Sequence, residues 1–190
     1  FLLQSRLYQW LPENKNDIFI SNNHSNCLYK CLSMKFWRKK KKLDFNSRYL
    51  AKERTYEYKI INRTGSLSLE KNRAWHIKNK LDLKLLKMGA KTLEGTHDFS
   101  TFRSSSCSSK SPIKSMRSVK VKKKGDEIFI TFKSQSFLQN QVRSMVGSLK
   151  YLSIGKWSYT NFKKVFYSKN RSRCAPPAPA CGLYLKDVKY

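Results

Sequence analysis

Residues 93–113 read LEGTHDFSTFRSSSCSSKSPI and gather His97, Asp98, Phe99, Phe102 and Arg103 into one short stretch. Asp98 is the carboxylate there that invites a nucleophilic reading. A plainer reading takes Gly95 as a helix stop and Pro112 as the restart of an extended chain. That explains the Gly and the Pro, but not the aromatic and charged residues at their spacing. His24, Cys27 and Cys31 are spaced like half of a metal site. No second Cys or His pair follows at zinc-finger spacing, so no metal is expected. Five cysteines, Cys27, Cys31, Cys107, Cys174 and Cys181, are an odd number and are read as free thiols.

The partner class follows from charge. Forty Lys and Arg stand against 12 Asp and Glu, a net +28, far beyond the needs of solubility. Such an excess is the footprint of a polyanion ligand, nucleic acid foremost. A coding bias toward Lys would not also deplete acids. A chain of 190 residues can bury a real core. No apolar run approaches the ~20 residues of a membrane span, and no charged region precedes the initial Phe-Leu-Leu, which argues against a signal peptide.

The elements that must position these groups begin at Leu43. From Thr55 the pattern alternates, with Tyr56, Tyr58 and Ile60 on one face and Lys59 and Ile61 on the other: a half-buried strand. A helix over roughly 83–93 has Asp82 as N-cap, with Leu81 and Leu86 as its hydrophobic staple. Val119 and Val121, then Ile128, Ile130 and Phe132, form two strands joined at Gly125-Asp126. A second helix is predicted from Ser136, whose capping box Gln139 completes. Leu138, Val142, Met145, Leu149 and Leu152 form its core stripe, and Gly155 ends it. Phe162, Val165 and Phe166 lie on a shorter helix. The Pro-rich stretch after Cys174 leads into a final strand. The fold class is α+β, a mixed, mainly antiparallel sheet with helices on one face.

Four segments resemble the tRNA pseudouridine synthases of the TruA type. Phe45, Arg48, Tyr49, Ala51, Arg54, Tyr56 and Tyr58 match F-x-A-R-F-x-A-x-x-R-x-Y-x-Y, with Ser47 in place of the small residue before the first Arg. GTHDFSTFR with its Ser-rich loop is similar to the signature G-x-H-D-F-x-x-F-R. SFLQNQVRSMVGSL is similar to F-x-x-x-x-V-R-x-M-V-G-x-L, and the APPAPACGLYL stretch to the A-P-x-x-G-L-Y-L closing strand. The resemblance covers residues 43–190, read as the C-terminal, TruA-like portion of an incomplete pseudouridine synthase fold. Residues 1–42 are basic, divergent and unassigned, and the initial Phe1 is read as the sign of a fragment.

The resemblance implies isomerisation of uridine to pseudouridine in the tRNA anticodon stem–loop, without cofactor or metal. An aspartate attacks the nucleoside or takes a sugar proton, the glycosidic bond breaks, and the base rejoins through C5. By motif, Tyr56 is the tyrosine that stacks on the target base, with Tyr58 on the same face its alternative. Arg143 is the catalytic arginine that pairs with the aspartate, and Leu183 a residue lining the uracil pocket, though Leu185 would also suit a buried strand. His97, Asp98, Phe99, Phe102 and Arg103 form an RNA-binding or structural signature, in which Asp98 is read as a structural carboxylate. The family's aspartate lies in R-T-D-A-G-V-H, which this sequence lacks. Its six aspartates are Asp17, Asp44, Asp82, Asp98, Asp126 and Asp187, and none stands in that context. The expectation is a synthase fragment, inactive as written; the alternative is a non-catalytic RNA-binding or ribosome-associated relative. tRNA is the implied partner, with no membrane and a homodimer when complete. The implied location is cytoplasmic and bacterial-like, with an organellar one as the alternative.

Overall fold

The computed structural model describes residues 45–190, Arg48 excepted. His24, Cys27, Cys31, the run Arg38 to Lys42, Asp17 and Asp44 therefore lie outside the described residues. The chain divides into two compact units, Phe1–Leu50 and Ala51–Tyr190. In the described part of the first, the Leu50 N–H donates to Asn46 O at 2.9 Å.

The second unit is built on β1 (Glu53–Asn62), the strand whose alternation is plainest in the sequence. Antiparallel β5 (Glu127–Ser134) lies on one side of it, followed by β4 (Ile113–Lys124) and the short β3 (Gly95–Asp98). On its other side β1 carries β6 (Leu183–Lys189), antiparallel, and β2 (Trp75–Ile77), parallel. Residues directly opposite one another share a face. Leu183, Tyr58, Ile130 and Val121 therefore form one row across the sheet, and Leu185, Tyr56, Phe132 and Val119 the next.

Three helices cover that face. Helix α1 (Leu83–Thr92) starts where Asp82 accepts from the Lys84 and Leu85 N–H groups at 2.7 and 3.2 Å. Leu81 and Leu86 are both buried at that end. Helices α2 (Gln141–Ser153) and α3 (Tyr159–Tyr167) complete the layer. Leu86, Met145, Leu149, Leu152, Phe162 and Phe166 pack with Tyr58, Ile60, Ile130 and Phe132 into one core. The opposite face is polar: Lys59 pairs with Glu70 and Glu127, and Lys186 with Glu57. This is the α+β fold expected, with helices on one face.

Two details differ from expectation. The short β2 and β3 go unannounced, since three and four residues carry too little periodicity to register. Helix α2 begins at Gln141 rather than Ser136, and Ser136 with Gln139 forms no capping box. The N-cap is Asn140 at φ 59, in the left-handed region that Asn tolerates. The Gln141 side chain reaches back to accept from the Leu138 N–H at 2.7 Å. Leu138 remains in the core although it precedes the helix. No helix of the described residues is long and apolar enough to cross a membrane.

The two helix starts make opposite predictions. Asp82→Ala removes a working cap and should lower the unfolding free energy by about 1 kcal/mol. Ser136→Ala should stay within about 0.5 kcal/mol of the parent. Denaturant midpoints of the two variants check the difference; an equal loss at Ser136 would restore the earlier helix start.

Candidate functional site

The Pro-rich loop between α3 and β6 fixes the position of Arg143. Pro176, Pro177 and Pro179 carry no N–H, so Ala178 supplies the donor of this short run. That N–H donates to Arg143 O at 2.9 Å. Arg143 Nε answers by donating to Ala178 O at 2.7 Å, and its Nη1 reaches Asn140 Oδ1 at 3.4 Å. One residue further on, Pro179 O accepts from the Tyr58 hydroxyl at 2.6 Å. Consecutive loop carbonyls thus hold Arg143 of α2 and Tyr58 of β1.

Two glycines make this approach possible. A Cβ at Gly147 would lie 2.1 Å from Pro176 O, and one at Gly182 would lie 2.6 Å from Lys59 O. Both positions meet backbone, which cannot rotate out of the way. The Gly in V-R-x-M-V-G therefore lets the loop approach α2, and the Gly in G-L-Y-L lets its far end approach β1.

Tyr56 and Tyr58 share a strand face but not an environment. Tyr58 is fully buried, and Trp75 meets its ring edge-on with centroids 6.2 Å apart. Burial drives its phenol far above the ordinary value; Cys181 adds to this and Arg143 counters it. Tyr56 is half-buried, and its hydroxyl has no hydrogen-bond partner among the described residues. Burial raises its phenol as well, against the pull of Arg54. Phe137 stands against it at 5.0 Å and 88°. Its cross-strand neighbour is Leu185, 48% exposed, whereas Leu183 lies opposite Tyr58 and packs on the core. The sequence reading that suited Leu185 to a buried strand is corrected here: β6 is outermost at this point, and Leu185 is left to solvent. Tyr56, Phe137 and Leu185 can present an apolar, partly aromatic surface to a flat ring.

Arg143 has no carboxylate within 4.0 Å among the described residues. Each candidate is engaged elsewhere or distant. Asp82 caps α1, and Asp126 sits in the β4–β5 turn. Asp187 is on β6 opposite Thr55, and Glu94 Oε1 accepts from the Val119 N–H at 2.8 Å. Asp98 Oδ1 accepts from Ser100 N–H and Oγ at 2.9 and 2.6 Å, while Oδ2 lies 3.5 Å from Lys169 Nζ. Burial pushes the Asp98 carboxyl up, but the Ser100 donors and Lys169 together hold it below the ordinary value.

The remaining signature residues organise the loop and the core. Phe99 and Phe102 are fully buried against Phe166, at 5.5 and 5.6 Å. His97 meets the Phe166 ring edge-on at 5.3 Å, and its Nε2 contacts Glu94 O at 2.7 Å. Arg103 donates to the carbonyls of Cys107 and Ser109 at 2.8 and 2.7 Å, tightening the Ser-rich loop. Ser104 N–H and Gln139 O join that loop to the entry of α2, at 3.2 Å. Cys107, Cys174 and Cys181 are free thiols. A cavity of about 480 Å³ opens not beside Tyr56 and Arg143 but among Lys52, Glu53, Gly95 and Arg117. Sequence reading gave Phe137 no role and passed over the Glu53 cluster, because neither belongs to a run of like residues.

Comparison with known proteins adds the following. The family model described as tRNA pseudouridine synthase matches residues 90–190. A tRNA pseudouridine synthase A of Pelagibacter ubique is 60% identical over 152 residues, covering 80% of this chain and 62% of the relative. One from Maricaulis maris is 44% identical over 147 residues, covering 77% of this chain and 59% of the relative. One from Paramagnetospirillum magneticum is 45% identical over the same length, covering 77% and 57%. The chain thus spans about three fifths of the length of these curated relatives.

Two variants test the geometry. Gly147→Ala must push Pro176 off α2 and should cost about 1–3 kcal/mol, whereas Gly65→Ala, with open space around it, should be near neutral. Chemical denaturation separates them. Asp98→Asn should cost stability at neutral pH. Because the native carboxyl titrates below its ordinary value, that cost is full above the ordinary carboxylate pKa and fades as pH falls through the lowered one. A pH-independent difference would remove the charge from the argument.

Proposed function

The chain belongs to the tRNA pseudouridine synthase A family, and from that premise we propose that it binds tRNA and supplies the base-holding and arginine side of a synthase site. The nucleophilic aspartate of that site is not among its own residues. The observation that carries the proposal is Arg143: a guanidinium held by a loop carbonyl, with no carboxylate within 4.0 Å among the described residues. Relatives are named for tRNA, and a net charge of +28 suits the same partner. In this reading the complete enzyme is a homodimer working in the cytoplasm.

The chemistry assigns each group a task. Pseudouridine formation breaks the bond from the sugar C1′ to N1 and makes one from C1′ to C5. The hydrogen on C5 leaves to water, and N1 takes up a proton. The target base must first leave its stack and find another surface. Tyr56 offers that surface, with Phe137 fixing its ring plane and Leu185 beside it. Leu183, next along β6, closes the pocket floor toward the core. Arg143 has Nη2 free of hydrogen bonds among the described residues and so can receive a carboxylate, keeping it ionised. Asp98 is spent on Ser100 and Lys169 and keeps a structural role.

The expected behaviour is binding without turnover. With tRNA tritiated at uracil C5, this chain alone should release no tritium into water. Affinity for an anticodon stem–loop should fall steeply with salt, as counterion release requires. Release that is abolished by Asp98→Asn would overturn the assignment and make Asp98 the nucleophile; a flat salt dependence would remove RNA as the partner.

Tyr56 is tested separately in the same binding assay. Tyr56→Ala should lose about 1–3 kcal/mol of interaction, while Tyr56→Phe, which keeps the ring, should lose little. Equal losses would assign the contribution to the hydroxyl and reject stacking.

A further inference from the structure

The end of the sheet opposite the β4–β5 turn carries a charge cluster that the reaction above does not use. Glu53 is its centre, with a side chain only 5% exposed. The cations around it are not buried: Arg117 is 73% exposed and Lys189 60%. Arg117 Nη1 donates to Glu53 Oε2 at 2.6 Å, and Lys189 Nζ lies 3.2 Å from Oε1. Lys52 joins them, its N–H donating to Lys189 O at 2.7 Å. The cavity of about 480 Å³ opens at this point, with Ser115 and Gln135 also on its wall.

Two independent features show that the arrangement is built. The β4–β5 register shifts between Met116 and Ser118, so Arg117 sits on a bulge and its side chain is re-aimed. A buried carboxylate is a poor source of stability, since an apolar residue would serve better there. Its effect is to hold two exposed cations in place and reduce the entropy that they lose when an anion arrives. Lys189, then Arg117, outweigh burial and keep the carboxyl below its ordinary value, so the anchor is charged at neutral pH. Arg117 spends only Nη1 on Glu53, and the rest of its fork has no partner among the described residues. Lys52 and Arg117 line the cavity with Glu53, and Lys189 pairs with the same carboxylate, so three cations against one carboxylate leave this end of the sheet positive.

We propose that this end of the sheet is a docking site for an RNA phosphodiester, in which buried Glu53 fixes Arg117 and Lys189 toward the phosphate and Lys52 completes the cradle. The proposal rests on the reading of this chain as tRNA-binding. Glu53 lies three residues before Tyr56 on β1, roughly 10 Å at about 3.3 Å per residue. Three residues is an odd step along a strand, so Glu53 lies on the sheet face opposite Tyr56, and an RNA with a base on Tyr56 would reach Arg117 around this end of the sheet.

The test turns on a sign. Simple electrostatics says that removing an acid from an RNA-binding protein tightens binding; an anchor says the reverse. Affinity for a tRNA anticodon stem–loop is measured against salt for the whole chain and its variants, with circular dichroism confirming the fold. Glu53→Gln should bind about threefold to tenfold more weakly, whereas Glu127→Gln, which removes an acid at the other end of β5, should bind as well or better. Arg117→Gln should weaken binding and lower the salt slope by about one, and Arg117→Lys should restore the slope but not the full affinity. Should Glu53→Gln not fold, the Arg117 pair decides. Binding by Glu53→Gln as tight as the parent, or an unchanged slope in Arg117→Gln, overturns the phosphate site and leaves tRNA binding intact. A parent chain that does not bind the stem–loop overturns the tRNA reading, and this site with it.

Discussion

One close approach governs the site: the backbone of the Pro-rich loop lies against α2 on one side and β1 on the other. Neither contact tolerates a side chain at the point of closest passage, which fixes Gly147 and Gly182. The loop's proline nitrogens donate nothing, so its short supply of hydrogen bonds goes to named partners. Ala178 exchanges two bonds with Arg143, and Pro179 takes one from Tyr58. A wider gap would lose both, leaving a buried phenol and a half-buried guanidinium to find other acceptors. Arg143 therefore reports where the loop is, as much as the loop reports where Arg143 is.

The aromatic signature acts at the start of the same helix. Phe99, Phe102 and Phe166 form a dry cluster that fixes the turn after β3, and Arg103 gathers the Ser-rich loop beside it. That loop meets the chain at Gln139, immediately before the left-handed Asn140 that opens α2. Helix α2 is thus pinned at its start by the signature loop and along its length by the Pro-rich loop. Arg143, one turn in, lies between the two fixed points. The sequence motifs are far apart in number, and what relates them is this helix.

Much of the fold could be read from residues alone, because the helix-covered face repeats cleanly. Tyr56-Tyr58-Ile60 and Ile128-Ile130-Phe132 alternate, and the paired strands put them in register. Asp82 and the Gly125-Asp126 turn were equally legible, since caps and tight turns depend on local chemistry. The start of α2 was not. Ser136 and Gln139 satisfy the pattern of a capping box, but Ser134 Oγ donates to Ser136 O, the chain bends at Gln135, and the helix waits for the turn at Asn140. One local hydrogen bond took the place of another. At the site, type and motif singled out Tyr56 and Arg143, while the grouping of Phe137 and Leu185 with Tyr56 became visible only through the sheet register and a ring contact. Glu53 was hidden for a different reason: a lone acid on a strand looks solvated until Arg117 and Lys189 are found over it.

The same strand puts two tyrosines of one type in different environments. Tyr58 faces Leu183 and Trp75, lies beneath the Pro-rich loop, and has its hydroxyl fully committed. Tyr56, one pleat along, faces the outermost part of β6, where Leu185 is open to solvent. Alternation alone makes the two equivalent; the length of the loop and the edge position of β6 make them different. A residue that closes the core cannot also receive a base, since its ring faces are already covered. Tyr56 keeps a half-buried ring, met edge-on by Phe137, because its cross-strand neighbour Leu185 lies on the outermost strand, open to solvent.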